Sequence, residues 1–220
     1  MRTFLIANPK GGCGKSTISV HLASWFSSID EIACLGDLDR QQSSRRWLTS
    51  RPTSLPLIRH WEMAESEITT PPADCSLAIL DTPAGLHGKP LKKLLAEVDR
   101  VVVPISPSAF DMHASRDFFE ELAEIKAVRK EKVGIAIVGM RVDRRTHSTR
   151  QLIEFLDDFE LPLLTCIRSA QRYVQALDTG HTLFDSPTRD PILFEEWKPL
   201  LDWLISRRSG PLTAWAQQPE

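Results

Sequence analysis

The stretch Asn8–Thr17 reads N-P-K-G-G-C-G-K-S-T and decides the fold of this chain. It follows the short apolar run Thr3–Ala7 and precedes Ile18–Phe26, in which apolar residues recur at helical spacing. A strand therefore enters a glycine-rich turn and a helix leaves it, which is the context of a phosphate-binding loop. The glycines allow backbone N–H groups to converge on an anion, and a helix that begins near Lys15 adds the positive end of its dipole.

The side chains of this loop predict how phosphates and a metal ion would be held. Lys15 supplies a mobile positive charge for β- and γ-phosphates, and Ser16 offers a hydroxyl to Mg²⁺. The other predicted nucleotide-binding positions are Gly11, Gly12, Cys13, Gly14 and Thr17.

The composition is that of a globular protein, with 220 residues of which 42% are hydrophobic and 25% charged. The net charge of −2 attracts no polyanion as a whole, so any nucleic-acid binding would need a local basic patch. The four cysteines show no metal-binding spacing, and we expect Cys34, Cys75 and Cys166 to be buried thiols in a reduced cytosol. We expect no signal peptide and no membrane span, because the first strand begins almost at once and the apolar runs are short.

Apolar runs without alternation predict strands that are buried on both faces of a parallel sheet. Helical patterns between them favour a doubly wound, mostly parallel α/β sheet with helices on both faces, the P-loop NTPase fold. We expect one domain over residues 1–208, a flexible tail over 209–220 and an irregular connection over 52–76. The predicted strands are Thr3–Ala7, Ile32–Leu35, Leu77–Leu80, Val101–Ile105, Val133–Met140 and Leu161–Ile167.

Acidic residues follow two of these strands. Asp37 and Asp39 come directly after the second run, and Asp81 ends the third run in the manner of a Walker B motif. Because the carboxyl ends of parallel strands share one edge of a sheet, these carboxylates should lie near the glycine-rich loop. The residue types at these positions predict Ser16 and Asp81 as Mg²⁺ ligands.

Three motifs resemble the ParA/MinD family of deviant Walker A ATPases, and the small ParA or MipZ-like type in particular. They are the loop with Lys10 before its first glycine, the segment Gly36–Ser43 with Arg40 at the usual proline, and the segment Asp81–Gly85. The resemblance implies ATP and Mg²⁺ as cofactors and an ATP-dependent homodimer in which Lys10 reaches the partner's phosphates. It further implies that Asp39 orients the attacking water and Asp37 supports the metal, so the predicted catalytic set is Lys10, Lys15 and Asp39.

Arginines follow the last two predicted strands, and the resemblance places Arg172 at a DNA-contacting position. Dimerisation would double these two sets of arginines, which could then form a surface that binds DNA without sequence specificity. They could also pair with Asp143, Asp157 or Asp158, or simply be solvated. The predicted DNA-binding residues are Arg144, Arg145, Arg150, Arg168 and Arg172, with Arg141 beside them.

The resemblance implies an ATP hydrolase that acts as a molecular switch and positions or partitions a cargo, whether plasmid, chromosome or protein assembly. A ParB-like or cargo-adaptor protein would stimulate hydrolysis, and the protein would be cytoplasmic and associated with the nucleoid when ATP-bound. A MinD-like membrane-associated ATPase, or a metabolic enzyme such as a dethiobiotin-synthetase-like ligase, remains an alternative. The adenine contact stays open, because Gly139 stands close to where the family has an asparagine.

Overall fold

The computed structural model describes residues 1–63, 69–125, 128, 132–143, 145–159, 163–186 and 190–206. The strands described, in chain order, are β1 (Arg2–Ile6), β2 (Ala33–Asp37), β3 (Arg59–Trp61), β4 (Leu77–Asp81), β5 (Arg100–Ile105), β6 (Gly134–Met140) and β7 (Leu163–Ile167). The helices are α1 (Lys15–Ser28), α2 (Ser43–Ser50), α3 (Gly88–Leu95), α4 (Ala109–Glu124), α5 (His147–Asp157), α6 (Gln171–Leu177) and α7 (Pro191–Ile205).

The strands form one parallel sheet in the order β3-β2-β4-β1-β5-β6-β7. The first strand therefore lies at the centre, between β4 and β5. Thr3 pairs with Ala78 on one side, and Phe4 pairs with Arg100 on the other. The loops that follow β4 and β5 must flank the loop that follows β1, because all three strands run in the same direction.

Alternate residues of each strand contribute to two cores on opposite faces of the sheet. Phe4 and Ile6 of β1 pack with α1, α2, α6 and α7, whereas Leu5 packs with α3, α4 and α5. A strand that is covered on both faces is apolar at every position. The apolar runs without alternation therefore predicted buried strands of this kind. The predicted doubly wound sheet is confirmed.

The connection over 52–76 is more ordered than the sequence predicts. Residues Arg59–Trp61 form the edge strand β3 beside β2, and Trp61 is buried. Gly36 of β2 makes room for this segment, because a Cβ there would lie 2.4 Å from Cε of Met63. Residues 64–68 fall outside the described part of the chain.

The last helix, α7, covers the sheet, with Trp197 and Leu200 fully buried. Its Ile192 and Ile205 face solvent and are 60% and 46% exposed. The predicted tail over 209–220 lies outside the described residues. No helix in the described ranges is long and apolar enough to cross a bilayer.

A buried ion pair joins the end of α2 to the segment before α7. Arg51 donates to Asp185 through both terminal nitrogens, Nη2 to Oδ1 at 2.7 Å and Nη1 to Oδ2 at 2.9 Å. The two side chains are only 5% and 1% exposed. Burial alone would raise the pKa of Asp185, but the hydrogen bonds and charge of Arg51 hold it below its ordinary value.

Arg51→Met should lower the free energy of unfolding by about 3–5 kcal/mol, because it leaves a buried carboxylate without its cation. Arg59→Met is the matched control: its ion pair with Asp74 is 45% exposed on each side, and its loss should cost less than about 1 kcal/mol. Urea unfolding followed by circular dichroism measures both changes, and equal losses would contradict the assignment.

Candidate nucleotide-binding site

The glycine-rich loop has a backbone that its sequence requires. Gly12 has φ of 73° and Gly14 φ of 102°, a left-handed region that residues with a Cβ rarely adopt. Gly14 caps α1, which begins at Lys15 as predicted. A Cβ at Gly14 would also lie 2.8 Å from Cε of Met140, so the loop approaches the end of β6 closely.

Lys15 is buried and its ammonium lies inside the curve of the loop. Nζ donates to the carbonyl oxygens of Asn8 at 3.0 Å and Lys10 at 2.8 Å. The thiol of Cys13 donates to the Lys10 carbonyl at 3.2 Å, and burial raises the pKa of that thiol. The ammonium is therefore held where it can exchange carbonyl oxygens for those of a phosphate.

Asn8 holds the loop against β5 and α4, a role that the sequence reading did not assign. Its Nδ2 donates to the carbonyl of Pro104 at 2.8 Å and to Oγ of Ser115 at 3.3 Å. Its Oδ1 accepts from the N–H of Lys10 at 2.8 Å. A buried polar residue directly after an apolar strand was the available signal, because such a group must find partners.

Asp81 is the most unusual carboxylate of the site. It is 1% exposed, and neither oxygen makes a hydrogen bond of normal geometry to a described residue, although the hydroxyls of Ser16 and Ser44 lie near it. Burial raises its pKa to about 6, against an opposing effect of the nearby Ser16 hydroxyl and with a further contribution from the charge of Asp37. Such a group has an unmet need for a cation.

Asp37 pairs with Asp81 across neighbouring strands and Asp39 follows β2 two residues later, but the two carboxylates are engaged differently. Asp37 accepts four hydrogen bonds, from the N–H groups of Asp39, Ser44 and Arg45 and from the Ser44 hydroxyl. Its carboxylate thus stabilises the start of α2. Asp39 is partly exposed, and its Oδ1 accepts from the N–H of Gln41 at 2.9 Å.

The segment after β4 is joined to the loop through backbone groups. Gly85 donates to the carbonyl of Pro9 at 2.8 Å, and the Thr82 hydroxyl donates to the carbonyl of Ile6 at 2.8 Å. Gly85 has φ of 74°, which again suits glycine. A shift of this segment would therefore be transmitted to the loop.

A cavity of about 200 Å³ opens beside the loop, at the ends of β6 and β7. Arg141 crosses its edge, and Nη2 donates to the carbonyl of Gly12 and to Oγ of Ser106, both at 2.8 Å. Gly139 cannot carry a contacting side chain, because a Cβ there would lie 2.8 Å from Cγ2 of Val142. The lining of the cavity includes Gly12, Thr17, Met140, Arg141, Ser169, Ala170, Tyr173 and Val174.

Aromatic residues support this cavity from below. The Tyr173 hydroxyl accepts from Nε1 of Trp197 at 2.9 Å. His21 stacks on Trp197 with ring centroids 5.0 Å apart, and its complete burial lowers its pKa to about 4. The imidazole is therefore neutral and belongs to the core.

The predicted basic surface is only partly assembled. Arg145 and Arg168 line one cleft of about 570 Å³ at the ends of β6 and β7. However, Arg168 forms an ion pair with Glu196 at 2.5 Å, and Arg172 with Asp190 at 3.2 Å. Arg145 and Arg150 are exposed and have no ion pair in the described part of the chain. Arg144 lies outside the described residues.

The chain resembles proteins that bind nucleotides. The family model described as the CobQ/CobB/MinD/ParA nucleotide binding domain matches residues 4–183. Maintenance of carboxysome distribution protein A from Halothiobacillus neapolitanus is 25% identical over 215 residues, which cover 92% of this chain and 96% of that protein.

Two solved structures share the fold. A variant of Cyanothece McdA in complex with ATP has a TM-score of 0.70 at 16% identity, covering 92% of this chain and 94% of its own. A putative plasmid partition protein from Borrelia burgdorferi bound to AMPPNP has a TM-score of 0.67 at 16% identity, covering 91% and 97%. With the family model spanning most of the sequence, the chain belongs to the CobQ/CobB/MinD/ParA family of nucleotide-binding domains.

Proposed function

We propose that this chain is a ParA-type ATPase that binds ATP with Mg²⁺, dimerises on it and hydrolyses it to position a cargo. The observation that carries the proposal is the buried carboxylate of Asp81, which makes no hydrogen bond of normal geometry to a described residue and lies near the Ser16 hydroxyl at the loop. Within the described residues no cluster of His, Cys, Asp or Glu forms a metal site of its own. This fits Mg²⁺, which is bound by one or two protein oxygens together with substrate phosphates.

The residues of the loop divide the binding of the phosphates among themselves. Backbone N–H groups from Gly11 to Thr17 face the phosphates, and Lys15 exchanges its bonds to loop carbonyls for bonds to β- and γ-oxygens. Ser16 and Asp81 would hold Mg²⁺, which neutralises charge that develops on the phosphates. Asp37 lies opposite Asp81 in the neighbouring strand, and its carboxylate stabilises the start of α2.

Hydrolysis requires a positioned water and a closed site. We assign Asp39 to orienting the water, because its carboxylate is partly exposed in the segment that follows β2, and β2 pairs with the strand that carries Asp81. The Lys10 side chain makes no hydrogen bond or ion pair within the described ranges, which leaves its ammonium available to the phosphates of a second subunit. The cavity lined by Met140, Tyr173 and Arg141 would take the adenosine.

The names of the relatives suggest the cargo. Two proteins that match are called maintenance of carboxysome distribution protein A, and one of them aligns over 92% of this chain. We therefore propose a large protein assembly such as the carboxysome, recognised through an adaptor that stimulates hydrolysis. The ATP-bound dimer would use non-specific DNA of the nucleoid as its matrix within the cytoplasm.

Lys15→Ala should abolish tight ATP binding, because the charge at the β- and γ-phosphates is lost. Lys10→Ala is the matched control, and it should retain ATP affinity while weakening ATP-dependent dimerisation. Isothermal titration measures the affinity, and sedimentation with a non-hydrolysable analogue measures the dimer. Unchanged ATP affinity of Lys15→Ala would overturn the assignment of the loop.

Asp81→Asn should stabilise the nucleotide-free protein by about 1–3 kcal/mol, since a pKa unit is worth about 1.4 kcal/mol and the buried charge is removed. The same change should weaken Mg²⁺-dependent nucleotide binding. Asp37→Asn should instead destabilise the protein by about 1–2 kcal/mol, because it weakens the cap of α2. Thermal unfolding and nucleotide titration with and without Mg²⁺ test both, and identical behaviour of the two variants would refute the division of roles.

Arg145→Glu with Arg150→Glu should abolish ATP-dependent DNA binding and leave dimerisation intact. Arg172→Glu should weaken it less, because Asp190 already pairs with that arginine. Arg150→Ala alone should reduce the log–log salt slope by roughly 2 in the dimer, one contact per subunit. Gel shifts on unrelated duplexes with ATP analogue and with ADP decide this. Lys132→Glu is the control, because Lys132 precedes the amino end of β6 whereas the tested arginines follow its carboxyl end. Full retention by the double variant would remove DNA as the matrix.

A further inference from the structure

A second cavity of about 500 Å³ lies beside the loops that carry Asp39 and Asp81, away from the cavity near β6. Leu86 and Leu94 form its floor, and each is 7% exposed. Leu38 and Pro83 form its walls and are partly exposed. The cavity therefore presents a concave apolar surface that the chain itself covers only in part.

The rim of this cavity is basic. His87, Lys89 and Lys93 line it, and Lys92 is exposed on the same short helix, α3. Glu121 of α4 contacts this helix, and its carboxylate accepts from the N–H of Gly88 at 2.8 Å. Lys89 and the neighbouring Lys92 thus place positive charge beside an apolar opening, although the whole chain carries a net charge of −2.

The cavity is built from the two segments that would respond to the nucleotide. Leu38 precedes Asp39, and its N–H donates to the carbonyl of Asp81 at 2.9 Å. On the other wall, Gly85 donates to the carbonyl of Pro9 in the glycine-rich loop at 2.8 Å. An occupant of the cavity would therefore contact both segments at once.

We propose that this cavity, with Leu38, Leu86 and Leu94 as its apolar surface, Lys89 at its rim and Lys92 exposed nearby on α3, is the docking site for an acidic segment of a partner protein that inserts an apolar side chain. Charge complementarity selects an acidic partner over a basic one. The apolar floor selects a peptide over DNA, because a phosphate backbone brings no apolar anchor to fill it.

Occupancy of the site couples to the nucleotide through the hydrogen bonds to Asp81 and Pro9. This coupling rests on the proposed ATPase function, whereas the docking surface itself does not. A ligand that contacts both walls binds the ATP-bound and the ADP-bound protein with different affinities when the distance between the walls differs between these two nucleotide states. The same difference, by linkage, changes the affinity for the nucleotide.

The probe is a fluorescein-labelled peptide, Glu-Asp-Leu-Phe-Glu-Asp, titrated into the full chain without nucleotide and followed by anisotropy. Two control peptides replace either the acids by lysine or the two apolar residues by glycine. A labelled DNA duplex is the third control. We expect saturable binding of the acidic apolar peptide that weakens as salt is raised, and at least about tenfold weaker binding of each control peptide.

Lys89→Glu with Lys92→Glu should lower peptide affinity at least about tenfold. Lys132→Glu, before the amino end of β6, should leave the affinity unchanged. Leu38→Ser, with its folding checked by thermal unfolding, should lower affinity without changing charge. Equal binding of the glycine-substituted peptide, displacement of the peptide by the duplex, or unchanged affinity of both variants would overturn the docking site.

A final arm repeats the titration with ATP analogue and with ADP. A different peptide affinity in the two nucleotide states supports the coupling, and equal affinity refutes it while the docking site stands. If the chain binds neither nucleotide but still binds the peptide through Lys89 and Lys92, the proposed function fails and the docking site is retained.

Discussion

The pairing of β1 with β4 on one side and β5 on the other determines where every part of the site lies. Because the three strands are parallel, the loops after them emerge together at one edge of the sheet. The glycine-rich loop is thereby flanked by Asp81 and Thr82 on one side and by Pro104 and Ser106 on the other. A different strand order would leave the same motifs in the sequence but separate them in space.

Much of this arrangement was predictable, because the residues involved carry strong physical constraints. Unalternating apolar runs predict buried parallel strands, and the glycines at positions 12 and 14 fit the left-handed backbone that the loop adopts. Asp81 was predicted from its place after an apolar run. The absence of normal hydrogen bonds between its oxygens and the described residues could not be predicted, because it depends on how neighbouring segments pack.

The misses have equally specific causes. Strand β3 has only three residues, of which Arg59 and His60 are exposed, so it carries no periodic apolar signal. Arg168 forms its ion pair with Glu196, and Arg172 with Asp190. These acidic residues are distant in the sequence and are brought close only by the packing of α7 on β7. Likewise, the contact of Arg141 with Gly12 joins residues far apart in the chain.

The central place of β1 also has a consequence for how the protein is made. Strand β1 is synthesised before both of its partners, Leu77–Asp81 and Arg100–Val102, so it cannot pair until chain that is made much later is available. The cavity beside the loop requires residues as late as Leu177. Non-local pairing of this kind folds slowly, because loop closure costs entropy before contacts compensate for it. A nascent chain would expose β1 and the loop to chaperones, and a released domain would become competent for nucleotide only once most of its length had folded.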